Sequence, residues 1–380
     1  MLTHITPRFA PQIDGVGDYA RLLARELERT HGWPSRFIVG EPAWAEAGKT
    51  GAPAGEFPAT AVSRRDAAAL STAIADAEVI VLHYVSYGYN SRGVPFWVNR
   101  AIRRWKQSAT AEKPRRFIIV FHELWASGPP WRSEFYLGPV QKYLIRELHG
   151  LADGSITSTP NMHRRLDALS PGKTKFAPIP SCVQPPALAQ RRWHTGGPVT
   201  VVIFGQQASR KLTVETHAPL IRALHAAGLL KELRAVGKGC TGGPNPSADV
   251  AALRKILPAE VISTQRDLPP EALAASLAEA DLFLTYYPSA FLCKSSALTA
   301  AMACGCPPVL PETNEAYPLV PEREVLACDG SATAIKRIIT LIQTGQIERL
   351  GRAARAWYDA HATWERTTEA VAQHLRAPHV

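Results

Sequence analysis

What this chain has little of narrows it first. None of its 380 residues falls in a run approaching the roughly 18 apolar residues that a spanning helix needs, so no transmembrane segment is expected. The opening residues, MLTHITPRFAPQIDGVGDYA, lack a basic segment leading into an apolar one; they read as a strand and loop of the mature fold rather than a secretory leader. The six cysteines, at 182, 240, 293, 304, 306 and 328, form neither CxxC nor a paired metal spacing. Reduced thiols in a cytoplasm are the simplest account of them. There is no repeat of about 20–50 residues and no recognisable nucleic-acid reader motif. The most telling absence is local: SAFLCKSSALTAAMACGCPPVL, Ser289 to Leu310, contains no acidic residue.

What is present describes a packed protein. Apolar residues make up 46% and charged residues 20%, which excludes disorder, and the length suits two sizeable domains. The net charge of +10 is uneven: residues 1–190 hold 23 basic and 16 acidic residues, the remainder 20 and 17. Much of the excess lies in FWVNRAIRRWKQSATAEKPRR, Phe96 to Arg116, a basic surface suited to nucleic acid, anionic lipid or a phosphorylated substrate.

Short apolar runs alternate with helical patterns. EVIVLHYV (78–85), FIIVFHEL (117–124) and GSITST (154–159) read as buried strands, with amphipathic stretches at 94–107 and 139–152. Proline, glycine and polar residues then cluster at 178–198, a linker. A second set follows: PVTVVIFG (198–205), EVISTQ (260–265), DLFLTYY (281–287) and PPVL (307–310). Such alternation predicts an α/β protein of two Rossmann-like, doubly wound parallel-sheet domains, with the ligand in a cleft beyond the strand ends. The expected boundaries are 1–190 and 191–359, with a helical tail at 360–380.

Four segments carry candidate chemistry. Asp14-Gly15-Val16-Gly17 lies between a strand and a helix, where Gly15 and Gly17 permit close backbone approach to an anion; an ordinary turn loop is the alternative. Gly205-Gln206-Gln207-Ala208-Ser209-Arg210-Lys211 follows the first strand of the second set, and a helix starting near Thr213 would aim its dipole there. Arg210 and Lys211 can neutralise a diphosphate, or simply be a solvated charge pair. In the acid-free stretch, Lys294 meets a helix start, Ser295 or Ser296 can cap that helix, and Gly305 ends it. His122, and His83 before it, end buried strands and point at the cleft, where a histidine can hydrogen-bond a hydroxyl or developing charge.

These segments resemble retaining glycosyltransferases of the GT-B fold, the large family 4 group. The likeness covers most of the chain and is clearest in PQIDGVGDYARLLAREL, IFGQQASRKL, AMACGCPPVL and ATWERTTEAVAQHL. It implies an N-terminal acceptor-binding domain, a C-terminal nucleotide-sugar domain, and a last helix crossing back to the first. It further implies donor-diphosphate contacts from Gly15, Gly17 and Lys211; Lys294, Ser295 and Ser296, at the other helix start, are expected to hold phosphate through charge and backbone N–H. Gln206 stands where the family has arginine, and Arg210 is a weaker donor-side candidate. His122 matches the histidine that approaches the transferred sugar. The family's Glu, seven residues, Glu pattern falls on Leu292 and Ala300, and its first loop glycine on Asp14.

The resemblance implies transfer of a sugar from a nucleoside diphosphate sugar to a carbohydrate or lipid-linked acceptor, with retention, no metal and no cofactor, as in polysaccharide or glycolipid synthesis. The leaving phosphate takes the acceptor proton. His83, Tyr84, Tyr87 and Trp125 are acceptor-side candidates, since aromatic faces stack on sugars. Residues 96–116 are a candidate anionic-membrane surface, placing the protein in the cytoplasm or peripherally on a membrane's inner face; nucleic acid is not expected. The missing glutamates motivate an alternative, a non-catalytic nucleotide-sugar-binding or scaffold protein, and epimerisation or phosphorolysis is a third reading.

Overall fold

The computed structural model describes residues 1–12, 14–44, 56–187, 191–314 and 316–376. The chain divides into two units, Met1–Ala177 with Trp364–Val380, and Pro178–Thr363. The expected boundary at 190/191 abuts residues 188–190, and the end of the expected tail is 377–380; both lie outside the described residues. Residues 178–187 thus group with the second unit rather than the first.

The first unit is built on seven parallel strands: β1 (Leu2–Thr6), β2 (Ser35–Val39), β3 (Ala59–Ala61), β4 (Val79–Tyr84), β5 (Arg116–Phe121), β6 (Gly154–Thr157) and β7 (Thr174–Phe176). Their order is β3-β2-β1-β4-β5-β6-β7. Helices on both faces bury the central strands completely, which is why they are runs of apolar residues rather than alternating ones. Around Ile80, Leu82, Phe117 and Ile119 lies one core; Leu148 and Ile145 of the helix Ser133–Leu151 close it.

The second unit repeats the plan with β8 (Val199–Phe204), β9 (Leu230–Val236), β10 (Ile262–Gln265), β11 (Leu282–Leu284), β12 (Pro308–Leu310) and β13 (Leu326–Ala327). Their order is β10-β9-β8-β11-β12-β13, again parallel throughout. Val201, Ile203, Leu282 and Val309 anchor its core.

The helical tail expected to begin at 360 starts later, and another helix precedes it. The two helices are Ile347–His361 and Trp364–Arg376, and the chain changes unit at the break between them. The second of these is part of the first unit. Trp364 packs on Tyr19 with ring centroids 5.5 Å apart, Arg29 pairs with Glu365 at 2.9 Å, and a ring nitrogen of His374 lies 3.2 Å from the Ser155 carbonyl oxygen. Gly154 makes this docking possible, because a Cβ there would stand 2.2 Å from the His374 ring.

Candidate active site

In each sheet the strand order reverses once: β1 lies between β2 and β4, and β8 between β9 and β11. Loops leaving such neighbours turn to opposite faces and open a crevice at the carboxyl ends of the strands. The candidate residues are therefore taken edge by edge.

At the first sheet's edge, the helix Gly15–His31 begins under a cap. Asp14 Oδ2 accepts the Gly17 N–H at 2.9 Å, so a carboxylate occupies a donor that an anion would otherwise use. Gly17 is demanded by packing, since a Cβ would meet the Arg8 carbonyl oxygen at 2.5 Å; Gly15 is exposed with open space around it.

The same edge holds an arrangement that spacing alone did not reveal. The register pairs His4 with Val81 and His83 with Val120, so His4, His83 and His122 project from one face, each two residues further along the next strand. His4 Nδ1 lies 3.0 Å from His83 Nε2, and His83 Nδ1 lies 3.4 Å from His122 Nε2. Behind them, His4 Nε2 is 3.3 Å from Ser35 Oγ. All three rings are buried, and Tyr19 covers His122 edge-on at 5.0 Å. Burial lowers the His4 pKa to about 3; burial first, then the neighbouring His4 and His122 rings, hold His83 well below the usual histidine range.

The acceptor-side candidates separate. Tyr84 is fully buried on the opposite face of β4, 5.7 Å from the Phe121 ring, because successive strand side chains alternate; it belongs to the core. His83 sits behind His122 rather than beside it. Tyr87 is exposed and its hydroxyl accepts from Gln141 Nε2 at 3.2 Å. Trp125 is half-buried with the Arg165 guanidinium 4.0 Å over its ring. Gln141, fully buried, also accepts the Ala126 N–H at 2.8 Å, so it joins the Trp125 loop to the Tyr87 loop. A glutamine on the inner face of an amphipathic helix was the available signal.

Of the aromatics in the stretch 96–116, Phe96 is exposed and the tryptophans are not. Trp97 and Trp105 turn inward and donate to the carbonyls of Tyr89 and Ala77, at 3.3 and 2.9 Å. Arg103 pairs with Glu147, Lys106 with Asp153, and Arg115 donates to the Ala75 and Ala77 carbonyls. Further exposed rings stand at Trp131, Phe135, Tyr136 and Tyr143, interleaved with exposed Arg132, Lys142 and Arg146. Among the described residues no helix is long and apolar enough to cross a membrane.

At the second sheet's edge, Gly205 leaves β8 with φ +138° and the helix Gln207–Ala226 starts immediately, not near Thr213. Ala, Arg, Lys and Leu favour helix strongly enough to begin it there. The early start splits the basic pair. Arg210 is buried: it meets Asp249 at 2.6 Å and donates to the Gly205 and Lys238 carbonyls. It ties the loop after β8 to the loop after β9, where a Cβ on Gly237 would stand 2.3 Å from the Gly205 oxygen. Lys211 lines a separate groove with Arg222 and Lys255 and approaches Glu215 at 3.6 Å. Gln206 stays exposed just ahead of the helix.

Beside that helix start runs the loop after β11. Tyr286 and Tyr287 stack at 4.5 Å, and the Tyr286 N–H donates to Thr213 Oγ1 at 3.2 Å. A 3₁₀ turn, Ser289–Lys294, leads to the helix Ser296–Ala303. Ser295 caps it, its hydroxyl accepting from Leu298 N–H at 3.2 Å; Ser296 is the half-buried first residue. Gly305, at φ +73°, closes the helix as expected, with the Cys306 N–H returning to the Ala301 carbonyl at 2.8 Å. Tyr286, Tyr287, Pro288, Phe291 and Lys294 line a hollow of about 400 Å³. Leu292 and Ala300 are 1% and 0% exposed, so carboxylates there would be buried in the core. The nearby acid is Glu312, which the acid-free stretch hid: its Oε1 accepts the Ser289 N–H at 2.8 Å and Oγ–H at 2.7 Å.

The structure thus gathers Gly15, Gly17, His83 and His122 at one edge, and Gln206, Lys294, Ser295 and Ser296 at the other. Lys211 and Tyr84 are drawn elsewhere, and Arg210, at the second edge, is engaged by Asp249 and the loop carbonyls. Among the described residues no three His, Cys, Asp or Glu side chains converge as a metal site; the three histidines run in file.

Two doubly wound parallel-sheet units in tandem, with the last helix built into the first, define the GT-B class of fold. Solved structures agree. A glycosyltransferase from Rickettsia africae ESF-5 is similar over 99% of both chains, with TM-score 0.62 and 9% identity. The apo form of the lipopolysaccharide outer core galactosyltransferase WaaB matches 98% of this chain and 99% of its own, with TM-score 0.59 and 10% identity. A putative UDP-N-acetylglucosamine 2-epimerase from Listeria monocytogenes matches 100% and 97%, with TM-score 0.57 and 12% identity. No protein-family model and no curated protein matches the chain.

Proposed function

We propose that the chain is a glycosyltransferase that moves a sugar from a nucleoside diphosphate sugar to a hydroxyl of a carbohydrate or lipid-linked acceptor. The observation that carries this reading is the second sheet's edge. Two helix starts, at Gln207 and Ser296, flank its switch point, and a hollow with Lys294 and a stacked tyrosine pair adjoins them. Helix N-termini and a lysine suit a diphosphate, and the aromatic rings suit a flat base.

In this reading the bond from anomeric carbon to diphosphate oxygen breaks with oxocarbenium character on the sugar. Lys294 and the two helix dipoles take up the charge on the departing diphosphate. His122 orients the sugar. The leaving phosphate accepts the acceptor proton, so retention needs no protein base and no metal. Because Asp14 occupies the Gly17 N–H and Lys211 lies in a separate groove, diphosphate recognition falls mainly on Lys294, with Ser296 and Gln206 beside it. Tyr87 and Trp125, linked by Gln141, are the acceptor-side contacts, and the exposed rings of 131–143 are the candidate face for a lipid-linked acceptor.

One observation favours a second reading. The buried Leu292 and Ala300 remove the usual sugar and ribose carboxylates, which suits a protein that binds a nucleotide sugar without transferring it. Calorimetric titration with UDP, GDP, ADP and TDP, then their sugars, decides between them when followed by an acceptor screen. Transfer requires one nucleotide to bind and Lys294→Ala to weaken it about 10–100-fold, the value of a charge-assisted contact of roughly 1.5–3 kcal/mol. Binding without product from any acceptor supports the second reading, and no nucleotide binding sinks both.

A further inference from the structure

Trp125 is a ring that an acceptor sugar would be expected to stack on, yet its surroundings are cationic. The Arg165 guanidinium, on the helix Pro160–Asp167, stands 4.0 Å from the ring centroid. Lys142 Nζ, on the helix Ser133–Leu151, stands over the same ring at 5.4 Å. An aromatic face attracts cations, so the ring holds both groups in place without neutralising them. Other basic side chains of this unit meet acids: Arg103 pairs with Glu147, and Lys106 with Asp153. Among the described residues no carboxylate pairs with Arg165 or with Lys142. Burial alone lowers the Arg165 pKa, whereas the Glu56 hydrogen bond raises that of Arg25. Two like charges gathered on one ring without a counter-charge repel each other, and an anion beside them is drawn by both.

The neighbouring loop adds a hydroxyl whose direction is set. The Ala126 N–H can only donate, and it meets Gln141 Oε1 at 2.8 Å. The other end of that buried amide is therefore Nε2, which lies 3.2 Å from Tyr87 Oη and 3.5 Å from the Arg92 carbonyl oxygen, a group that can only accept. Tyr87 thus accepts from Gln141 and keeps its own proton to donate, on an exposed side chain. We propose that Arg165 and Lys142 form an oxyanion subsite for a phosphate or carboxylate group carried by the acceptor, with the Tyr87 O–H donating to an oxygen of the same molecule. The guanidinium fork matches two oxygens of such a group, and the lysine adds a point charge. Trp125 is then a mount for cations and not the plate on which a sugar stacks. Tyr87 follows β4, Trp125 follows β5 and Arg165 follows β6, so the three arise from successive loops at the carboxyl ends of neighbouring strands. The subsite rests on the acceptor reading of this edge, whereas binding of the anion itself does not.

Two measurements on the full chain separate these levels. The ¹H–¹⁵N indole signal of Trp125, assigned among the nine tryptophans through Trp125→Phe, reports on the ring that carries both cations. Sodium phosphate, sodium acetate and glucose are titrated at constant ionic strength. At least one anion should move the signal saturably, and glucose should not; phosphate alone marks a phosphorylated acceptor, acetate alone a carboxylated one. Arg165→Met, which keeps a stem over the ring, should weaken the anion about tenfold and Tyr87→Phe about fivefold, while Arg165→Lys should recover most of the loss. The response should persist in Lys294→Ala. A signal that neither anion moves, or an anion affinity unchanged in Arg165→Met, would overturn the proposal. So would a response that disappears in Lys294→Ala, since the anion would then sit in the other unit. With a donor and acceptor in hand, acceptors matched except for the charged group should separate: Arg165→Met should raise KM about tenfold for the charged member alone, with kcat within about twofold for both. An equal change for both members would mean a structural role for Arg165 and sink the subsite. Absence of transfer to any acceptor would overturn the transferase reading, while the subsite would stand or fall on the spectra.

Discussion

The reassignment of Arg210 from ligand contact to fold is open to a direct test through its partner. Both side chains of the Arg210–Asp249 pair are 0% exposed, and the guanidinium meets the carboxylate at 2.6 Å and the Gly205 carbonyl at 2.5 Å. Asp249→Ala leaves a buried cation with carbonyl partners only. Removing one member of such a pair costs about 3–5 kcal/mol, most of it the penalty of the stranded charge. With a urea m-value of roughly 2–3 kcal/mol/M for a unit of this size, the midpoint for the second unit should fall by about 1–2.5 M. Arg210→Met with Asp249→Leu removes both charges and refills the space, so it should recover most of that loss, to within about 2 kcal/mol of wild type. Nucleotide affinity, measured by the same calorimetry, should be unchanged in the double variant. A loss under about 1 kcal/mol in Asp249→Ala, or a stable double variant that no longer binds nucleotide, would refute the argument and return Arg210 to the ligand.

Three other outcomes follow from the same geometry. Leu292→Glu or Ala300→Glu, which restores a carboxylate from the resembling family, should destabilise the second unit by several kcal/mol (about 3 or more) in urea unfolding, because each lands in the core. Gly154→Ala drives a Cβ into the His374 ring and should speed hydrogen exchange across Trp364–Arg376, whereas Gly150→Ala, where nothing stands within 4 Å, should leave that exchange unchanged. Burial holds His4 at about 3 and His149 at about 4, below their unfolded value near 6.5, so the unfolded chain gains protons first as pH falls. The stability these groups contribute is whole above about pH 6.5 and declines below it by up to about 1.4 kcal/mol per pH unit for each; urea midpoints from pH 7.5 to 5 should fall, less steeply in His4→Phe.

Where the chain was readable, the reason is local. Strands β4, β5 and β8 are six residues long with one polar residue each, and their sandwiched position in a parallel sheet demands that apolar composition. Strand β9, LKELRAV, escaped notice because lysine, glutamate, leucine and arginine favour helix; pairing with β8 and β10 overrides that preference. Strands β3 and β13, of three and two residues, are too short to show a period. At the site, His83 and His122 stood out at strand ends, but His4 lies mid-strand and acquires meaning only from the register with Val81. Lys211 was placed from likeness, and an early helix start moved it to another groove. Asp249 and Gln141 act on partners 39 and 54 residues away, beyond any local pattern.

The path of the chain through its two units carries a consequence for synthesis. The helix Trp364–Arg376 covers Tyr19 and Gly154, yet it is translated only after the whole of the second unit. The first-made unit therefore waits, its histidine file one layer short of cover, while the whole of Pro178–Thr363 is translated and folds. A premature stop between Thr363 and Trp364 would spare the hollow beside Lys294 and strip a helix from the other unit, so a nonsense lesion there should behave as a defect of the amino-terminal unit.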